Sequence, residues 1–155
     1  MSKKVTFAGL LAVGGLAATL ATGAQAAQPT VVELTQTACQ FVESENGVDH
    51  GYTSTSKGDC ETINGKSGDE RLANAKVMEL DAGSYIFRVT NKNVPYDLGF
   101  WLRGKGLGRV TLPSVSGGGL SEGATKDYAI DLTPGEYHYS CPLNPTLDYV
   151  LVVRG

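Results

Sequence analysis

The sequence predicts an all-β fold, an antiparallel Greek-key sandwich or barrel with one short helical insertion. Seven or eight short runs rich in β-branched and aromatic residues recur along the chain, and Gly, Pro and Asp turns separate them. No segment with helical periodicity is long enough to organise a domain. With 155 residues and 41% hydrophobic content, the chain suits one domain with a real core. The formal net charge of -3 argues against nucleic acid as a partner.

The N-terminal segment, residues 1–26, has the three-part pattern of a secretory signal peptide. Lys3 and Lys4 precede an apolar stretch over residues 5–20, and Ala24-Gln25-Ala26 supplies the small residues of a cleavage site, with Ala27 one position later as the alternative. A membrane anchor is the weaker interpretation, because the stretch is short and Gly-rich for a span of about 20 residues. We therefore expect a periplasmic or secreted protein that makes no membrane contact after cleavage.

The strand signals lie on both sides of a polar segment. The predicted strands cover residues 30–37, 76–80, 84–91, 97–104, 126–132, 136–141 and 149–153. Six glycines punctuate residues 103–119, so this region is predicted to form turns around a short run at 109–115. The last strands are apolar and alternate with tight turns, as expected for a sandwich core.

The polar segment, residues 43–75, is predicted to be an insertion with little core of its own. Two serine-headed patterns predict short helices within it: one over residues 57–63 capped by Ser54 or Ser56, and one beginning near Arg71 with Ser67 and Glu70 as a capping box. Such short helices are marginal alone and need packing or a covalent link.

The three cysteines suggest such a link. Cys39 follows the first strand and Cys60 lies in the insertion, 21 positions later. In an oxidising compartment we favour a Cys39–Cys60 disulfide, because it would tie the insertion to the sheet and stabilise the fold by roughly 3 kcal/mol. Pairing of either cysteine with Cys141 stays open, since three cysteines allow three single bridges.

The C-terminal half carries two further patterns. Residues 132–153 contain a turn, the strand Tyr-His-Tyr-Ser-Cys ending at Cys141, a short loop and a final apolar strand, while residues 89–100 contain an Asn-rich turn before Pro95-Tyr96-Asp97. These patterns resemble the two ligand regions of the cupredoxins, the blue copper proteins. The resemblance covers roughly residues 76–153 but not the insertion, and it implies a cupredoxin-like Greek-key β-sandwich over residues 27–155.

The ligand positions themselves have changed. The spacing Cys-x-x-Asn-Pro-x-Leu matches an amicyanin-length ligand loop, Cys-x-x-His-Pro-x-Met, so the resemblance places Asn144 at the downstream His, Leu147 at the axial Met and Tyr96 at the upstream His. Only Cys141 is kept. A type 1 centre needs two neutral imidazoles and a thiolate. A carboxamide is a poor copper ligand and a phenol ionises only near a pKa of about 10, so we expect no intact type 1 centre and no cofactor.

A rearranged copper site is the alternative. Strand alternation turns His138 away from the face that carries Cys141. His50 lies in the insertion and could join Cys141, Tyr96 and Asp97 in a copper-binding or electron-transfer site, although a polar loop residue is the simpler interpretation of His50.

Loss of both imidazoles favours a metal-free role. On this interpretation Cys141 is a buried, unreactive thiol, Tyr96 and Leu147 fill the former copper pocket, and the Tyr96 phenol hydrogen-bonds Asn144. We expect a binding or accessory module that meets a protein partner or small ligand at that end of the fold. Enzymatic activity is not expected, because Ser, His and Asp occur without a nucleophile-elbow motif.

Overall fold

A computed structural model describes residues 28–155, so the predicted signal peptide at residues 1–26 lies outside the described residues. The described part contains nine strands and one α-helix. They are β1 (Thr30–Thr37), β2 (Gln40–Phe41), α1 (Lys57–Asn74), β3 (Met78–Asp81), β4 (Gly83–Asn91), β5 (Leu98–Gly104), β6 (Val115–Leu120), β7 (Thr125–Leu132), β8 (Gly135–Ser140) and β9 (Tyr149–Arg154). No helix within residues 28–155 has both the length and the apolar character needed to cross a membrane.

The strands form two sheets, one in the order β2-β1-β4-β7 and the other in the order β3-β9-β8-β5-β6. This arrangement confirms the predicted all-β sandwich with a short helical insertion. Two pairs depart from the antiparallel expectation, because β1 pairs with β4 and β3 pairs with β9 in parallel. Parallel neighbours require long connections between them, and the chain supplies these through the insertion and through the strands of the opposite sheet.

The core lies between the sheets and is aromatic. In β4 the alternate residues Tyr85, Phe87 and Val89 are buried, as the period of two predicts. Phe41, from the short strand β2, makes edge-on contacts with Phe100 and with tyrosines of β8 and β9 at centroid separations of 5.8–6.1 Å. A two-residue strand therefore joins the start of the insertion to the centre of the core.

The helical prediction for the insertion was wrong in one respect, because one continuous helix, α1, replaces two short ones. Ser56 and Asp59 form the capping box at its start. Ser67, predicted to begin a second helix, lies inside α1 and its hydroxyl donates to the Ile63 carbonyl at 3.1 Å. A mid-helix serine can satisfy its hydroxyl on the preceding turn in this way, so it does not have to mark a new helix start.

The glycine-rich stretch was also predicted incorrectly, since β6 runs through three consecutive glycines. Pairing with β5 overrides their low strand propensity. The two strands approach so closely that a Cβ on Gly99 would lie 2.6 Å from the Gly117 carbonyl oxygen, so glycine is required there.

Candidate functional site

Cys141 follows β8 directly and is completely buried. Its Sγ accepts hydrogen bonds from the backbone N–H groups of Gly99 and Asn144, each at 3.3 Å. Burial raises the pKa of this thiol, and the N–H donors offset the effect only in part. Cys141 is therefore a protonated thiol at neutral pH, held in place by β5 and by its own loop.

Asn144 lies three residues further on and is also completely buried. Its Oδ1 accepts hydrogen bonds from the Cys39 N–H at 3.0 Å and the Tyr96 hydroxyl at 3.2 Å, while its Nδ2 donates to the Thr37 carbonyl at 3.0 Å. Both polar atoms of the carboxamide are thus engaged within the protein. The carboxamide therefore needs no external hydrogen-bond partner.

Tyr96 completes the link between the two ligand regions. Its hydroxyl lies 3.2 Å from Asn144 Oδ1, to which it donates, and 2.6 Å from the hydroxyl of Ser54. Burial raises the pKa of Tyr96 and the Ser54 hydrogen bond offsets part of that rise, so the phenol is neutral at neutral pH. The structure therefore contains the expected Tyr96–Asn144 hydrogen bond, and it adds Ser54 from the insertion.

Helix α1 covers the loop that follows Cys141. Three residues spaced four apart, Cys60, Asn64 and Gly68, form one stripe along the helix, as the helical repeat requires. Along this stripe Cys60 Sγ lies 3.0 Å from Asn144 Oδ1, Asn64 Nδ2 donates to the Pro145 carbonyl, and Gly68 faces Leu147. The insertion thus closes over three of the four loop residues between positions 144 and 147.

Two helical glycines allow this contact to be tested. A Cβ on Gly68 would lie 3.0 Å from Leu147 Cδ2, whereas nothing lies within 4 Å of a Cβ on Gly65. Gly65→Ala should raise the free energy of unfolding by about 0.5–1 kcal/mol, because alanine favours the helix. Gly68→Ala should raise the free energy of unfolding by clearly less, since Leu147 must move to make room for the new Cβ. Urea unfolding of both variants checks this, and equal stabilisation would contradict the close packing of α1 on the loop.

The predicted Cys39–Cys60 disulfide is confirmed, with an S–S distance of 2.10 Å. Cys141 is the free cysteine of the described chain, so both alternative pairings with Cys141 are excluded. The bond attaches α1 at Cys60 to the turn between β1 and β2.

A buried ion pair anchors the other end of α1. Arg71 Nε and Nη2 donate to the two carboxylate oxygens of Glu45 at 2.9 and 2.6 Å, and both side chains are about 5% exposed or less. The Tyr149 hydroxyl donates to the same carboxylate. Burial alone would raise the pKa of Glu45, but the Arg71 and Tyr149 hydrogen bonds outweigh it and hold that pKa below its usual range. The pair was not predicted from the sequence, because its only local signal is an arginine near the end of a polar helix.

The two histidines lie apart from Cys141. His50 Nε2 is 2.7 Å from Glu45 Oε2, and the imidazole stacks on Tyr52 with centroids 5.3 Å apart. His138 lies beside Asp148, with 3.8 Å between Nδ1 and the carboxylate. Among residues 28–155, no group of three or more His, Cys, Asp or Glu side chains is placed to hold a metal ion. The constellation of Cys141, His50, Tyr96 and Asp97 is therefore not assembled, because Glu45 and Tyr52 hold His50.

One side of the loop stays accessible. A shallow, mainly apolar groove of about 370 Å³ runs beside the two residues that follow Cys141. Leu143, which is 46% exposed, and Pro142 form one wall. The remaining lining comes from residues 99–101 of β5 and residues 116–118 of β6. The groove thus lies between the loop and the β5–β6 edge, outside the area that α1 covers.

Comparison with known proteins supports the fold. No protein-family model and no curated protein matches the chain. Among solved structures, auracyanin B matches with a TM-score of 0.51 and 13% identity over 83% of this chain and 92% of that one. Auracyanin A, a blue copper protein from the green thermophilic photosynthetic bacterium Chloroflexus aurantiacus, matches with a TM-score of 0.43 and 14% identity over 81% of this chain and 99% of that one.

A reduced Cu(I) form of an amicyanin variant also matches, with a TM-score of 0.34 and 18% identity over 49% of this chain and 67% of that one. The auracyanin B match, together with the two-sheet topology, identifies the architecture. The chain has a cupredoxin-like β-sandwich fold that carries a disulfide-linked helical insertion.

Proposed function

We propose that this protein is an exported, metal-free binding module built on a cupredoxin-like fold whose type 1 copper site has been lost. The observation that carries the proposal is the bonding of Asn144. At the position where the ligand loop would supply an imidazole, both polar atoms of a buried carboxamide are hydrogen-bonded, to Cys39, Tyr96 and Thr37. Copper binding here would break these hydrogen bonds, and the site would still lack the two imidazole nitrogens that a type 1 centre requires.

The state of the other former ligands supports the same conclusion. Cys141 is a buried thiol whose raised pKa opposes formation of the thiolate that binds copper. Tyr96 is a neutral phenol and Leu147 has no donor atom. The retained cysteine thus serves as a small buried side chain at the end of β8, and no catalytic role is part of the proposal.

Binding is assigned to the accessible side of the loop. Helix α1 covers Asn144, Pro145 and Leu147, whereas Pro142 and Leu143 border the apolar groove. An apolar surface that a rigid scaffold holds in place is suited to a protein partner or a small ligand with apolar character. Export is proposed from the N-terminal pattern of residues 1–26, and it agrees with a disulfide in the mature domain.

Metal retention tests the proposal against a rearranged copper site. Purified mature protein is dialysed against Cu(II), and the bound copper is measured beside Cys141→Ser and His50→Ala variants. We expect no stoichiometric copper in the wild type and no difference among the three proteins. Tight binding of one copper per chain that Cys141→Ser abolishes would overturn the proposal, and a parallel loss in His50→Ala would identify the rearranged site.

A further inference from the structure

Trp101 connects the apolar groove to a group of basic side chains. It is the only tryptophan of the sequence, and it is partly buried on β5, where it lines the groove. The guanidinium carbon of Arg103 lies 4.1 Å from the centre of the indole ring, and that of Arg109 lies 5.4 Å from it. Both distances are within the range of cation–π contacts. The groove therefore has apolar walls and, on the far side of Trp101, a basic end.

The short 3-10 turn Gly106–Val110 carries Arg109 and follows β5 almost directly. A Cβ on Gly104 would clash with the carbonyl group of Gly108, so glycine at position 104 lets the turn pack against the end of the strand. Arg109 is thus held beside Trp101 by the close packing of the turn on the sheet.

Arg109 is also the cation of this basic group that has no acidic partner. Arg103 donates to Asp148 at 2.6 Å, and Lys105 lies 2.8 Å from Glu136. Arg109 is exposed, and among the described residues no carboxylate forms an ion pair with it. The basic end of the groove therefore has one positive charge in excess, and that charge is available to an anion from solution.

A glycine keeps the groove open on its β6 side. Gly118 faces Leu143 across the groove, and a Cβ at this position would lie 3.6 Å from Leu143 Cδ1. Any larger side chain at position 118 would project into this space. The groove, at about 370 Å³, lies within the size range of sites for small molecules.

We propose that the groove binds a small amphipathic carboxylate, whose apolar part lies against Leu143 and Trp101 and whose carboxylate pairs with Arg109. This inference rests on the proposed function, because it names the class of ligand for the same groove. Burial of the apolar part supplies affinity without regard to charge. The exposed guanidinium of Arg109 adds a preference for anions, which is modest in size and weakened by salt.

Octanoate is the probe, and Trp101 is the reporter, because no other tryptophan contributes to the fluorescence. Purified mature protein is titrated at low ionic strength with octanoate, with uncharged 1-octanol and with octylammonium. We expect octanoate to bind roughly 3–5 times more tightly than 1-octanol, and octylammonium to bind more weakly than either. The preference for octanoate should decrease as sodium chloride is added.

Three variants assign this preference to the groove and to Arg109. Arg109→Gln should lower the affinity for octanoate to that for 1-octanol and leave 1-octanol binding unchanged. Arg154→Gln is the matched control, since it removes an exposed arginine that already pairs with Glu79, and it should change neither affinity. Gly118→Val should weaken both ligands about equally because it fills the groove. If Gly118→Val does not fold, Leu143→Ser takes its place, because it removes an apolar wall from the surface.

The proposal is overturned if wild-type protein does not bind octanoate, if Gly118→Val and Leu143→Ser leave its binding unchanged, or if Arg109→Gln binds it as tightly as wild type does. Equal binding of octanoate and 1-octanol would likewise overturn the assigned ligand class, while the groove would remain a binding site as the proposed function requires. The proposed function fails on a separate result, the retention of stoichiometric copper through Cys141, which these titrations do not measure.

Discussion

Replacing Arg71 by methionine is expected to lower the free energy of unfolding by about 3–5 kcal/mol, the largest effect of any single change considered for this protein. The substitution removes the guanidinium from a carboxylate that is itself only 4% exposed. Tyr149 and His50 continue to contact Glu45, but neither supplies a permanent positive charge. The penalty therefore comes from a buried carboxylate that has lost its cationic partner.

A double-mutant cycle separates this penalty from the net value of the pair. Arg71→Met and Glu45→Gln should each be strongly destabilising, whereas the double variant should lose less than the sum, because no buried charge is left unpaired. Urea unfolding monitored by circular dichroism gives all four free energies. Additive losses, or an Arg71→Met effect below about 1 kcal/mol, would show that the pair is not buried in solution as described.

The Arg71–Glu45 pair also makes the stability of the fold depend on pH in the acidic range. The pKa of Glu45 in the folded state lies below its ordinary value of 4.5, so folding favours the ionised form. The stabilisation is fully present above the unfolded pKa and is lost as the pH falls through the lower folded pKa. We expect stability to decline below about pH 4.5, and to decline less steeply in the double variant. Identical pH profiles for the two proteins would contradict this assignment.

Removal of the disulfide is expected to have the second largest effect. Cys39→Ala/Cys60→Ala should lower the free energy of unfolding by about 3 kcal/mol, because the unfolded chain regains the freedom of a loop that spans 21 positions. Both cysteines are completely buried, so their loss also leaves small packing defects. Chemical unfolding under non-reducing conditions measures the change.

Cys141→Ala provides the matched control for this measurement. It removes a buried sulfur of the same size from the same end of the fold without breaking a cross-link. Its cost should be limited to the cavity and to the two N–H groups that lose their acceptor, and should stay below the cost of losing the disulfide. Equal costs for the two changes would argue against a specific stabilising role of the cross-link.

Much of the sandwich could be predicted because its signals are local. The alternation in β4 places Tyr85, Phe87 and Val89 in the core by periodicity alone. The disulfide could be predicted from chemistry, since a polar insertion with little core needs a covalent attachment. The parallel pairs and β6 could not be predicted, because they depend on partner strands distant in sequence.

The candidate site, like the fold, could be predicted only in part. Loop spacing was sufficient to single out Asn144 and Leu147, and the structure shows both beneath α1. The contacts from Asn64 and Gly68 could not be predicted, because they depend on the rotation of α1 against a loop about 80 residues away in sequence. A stripe of Cys, Asn and Gly has no hydrophobic periodicity, so nothing in the local pattern marks it as a buried face.

The visible absorption spectrum after addition of Cu(II) to the oxidised mature protein tests the central claim most directly. Asn144 and Tyr96 stand in place of both imidazoles and are hydrogen-bonded to each other. No strong thiolate-to-copper charge-transfer band should therefore develop, and the solution should stay as pale as that of the Cys141→Ser control. An intense blue colour that appears in the wild type and is absent from Cys141→Ser would contradict the account, because it would show a working type 1 centre around Cys141.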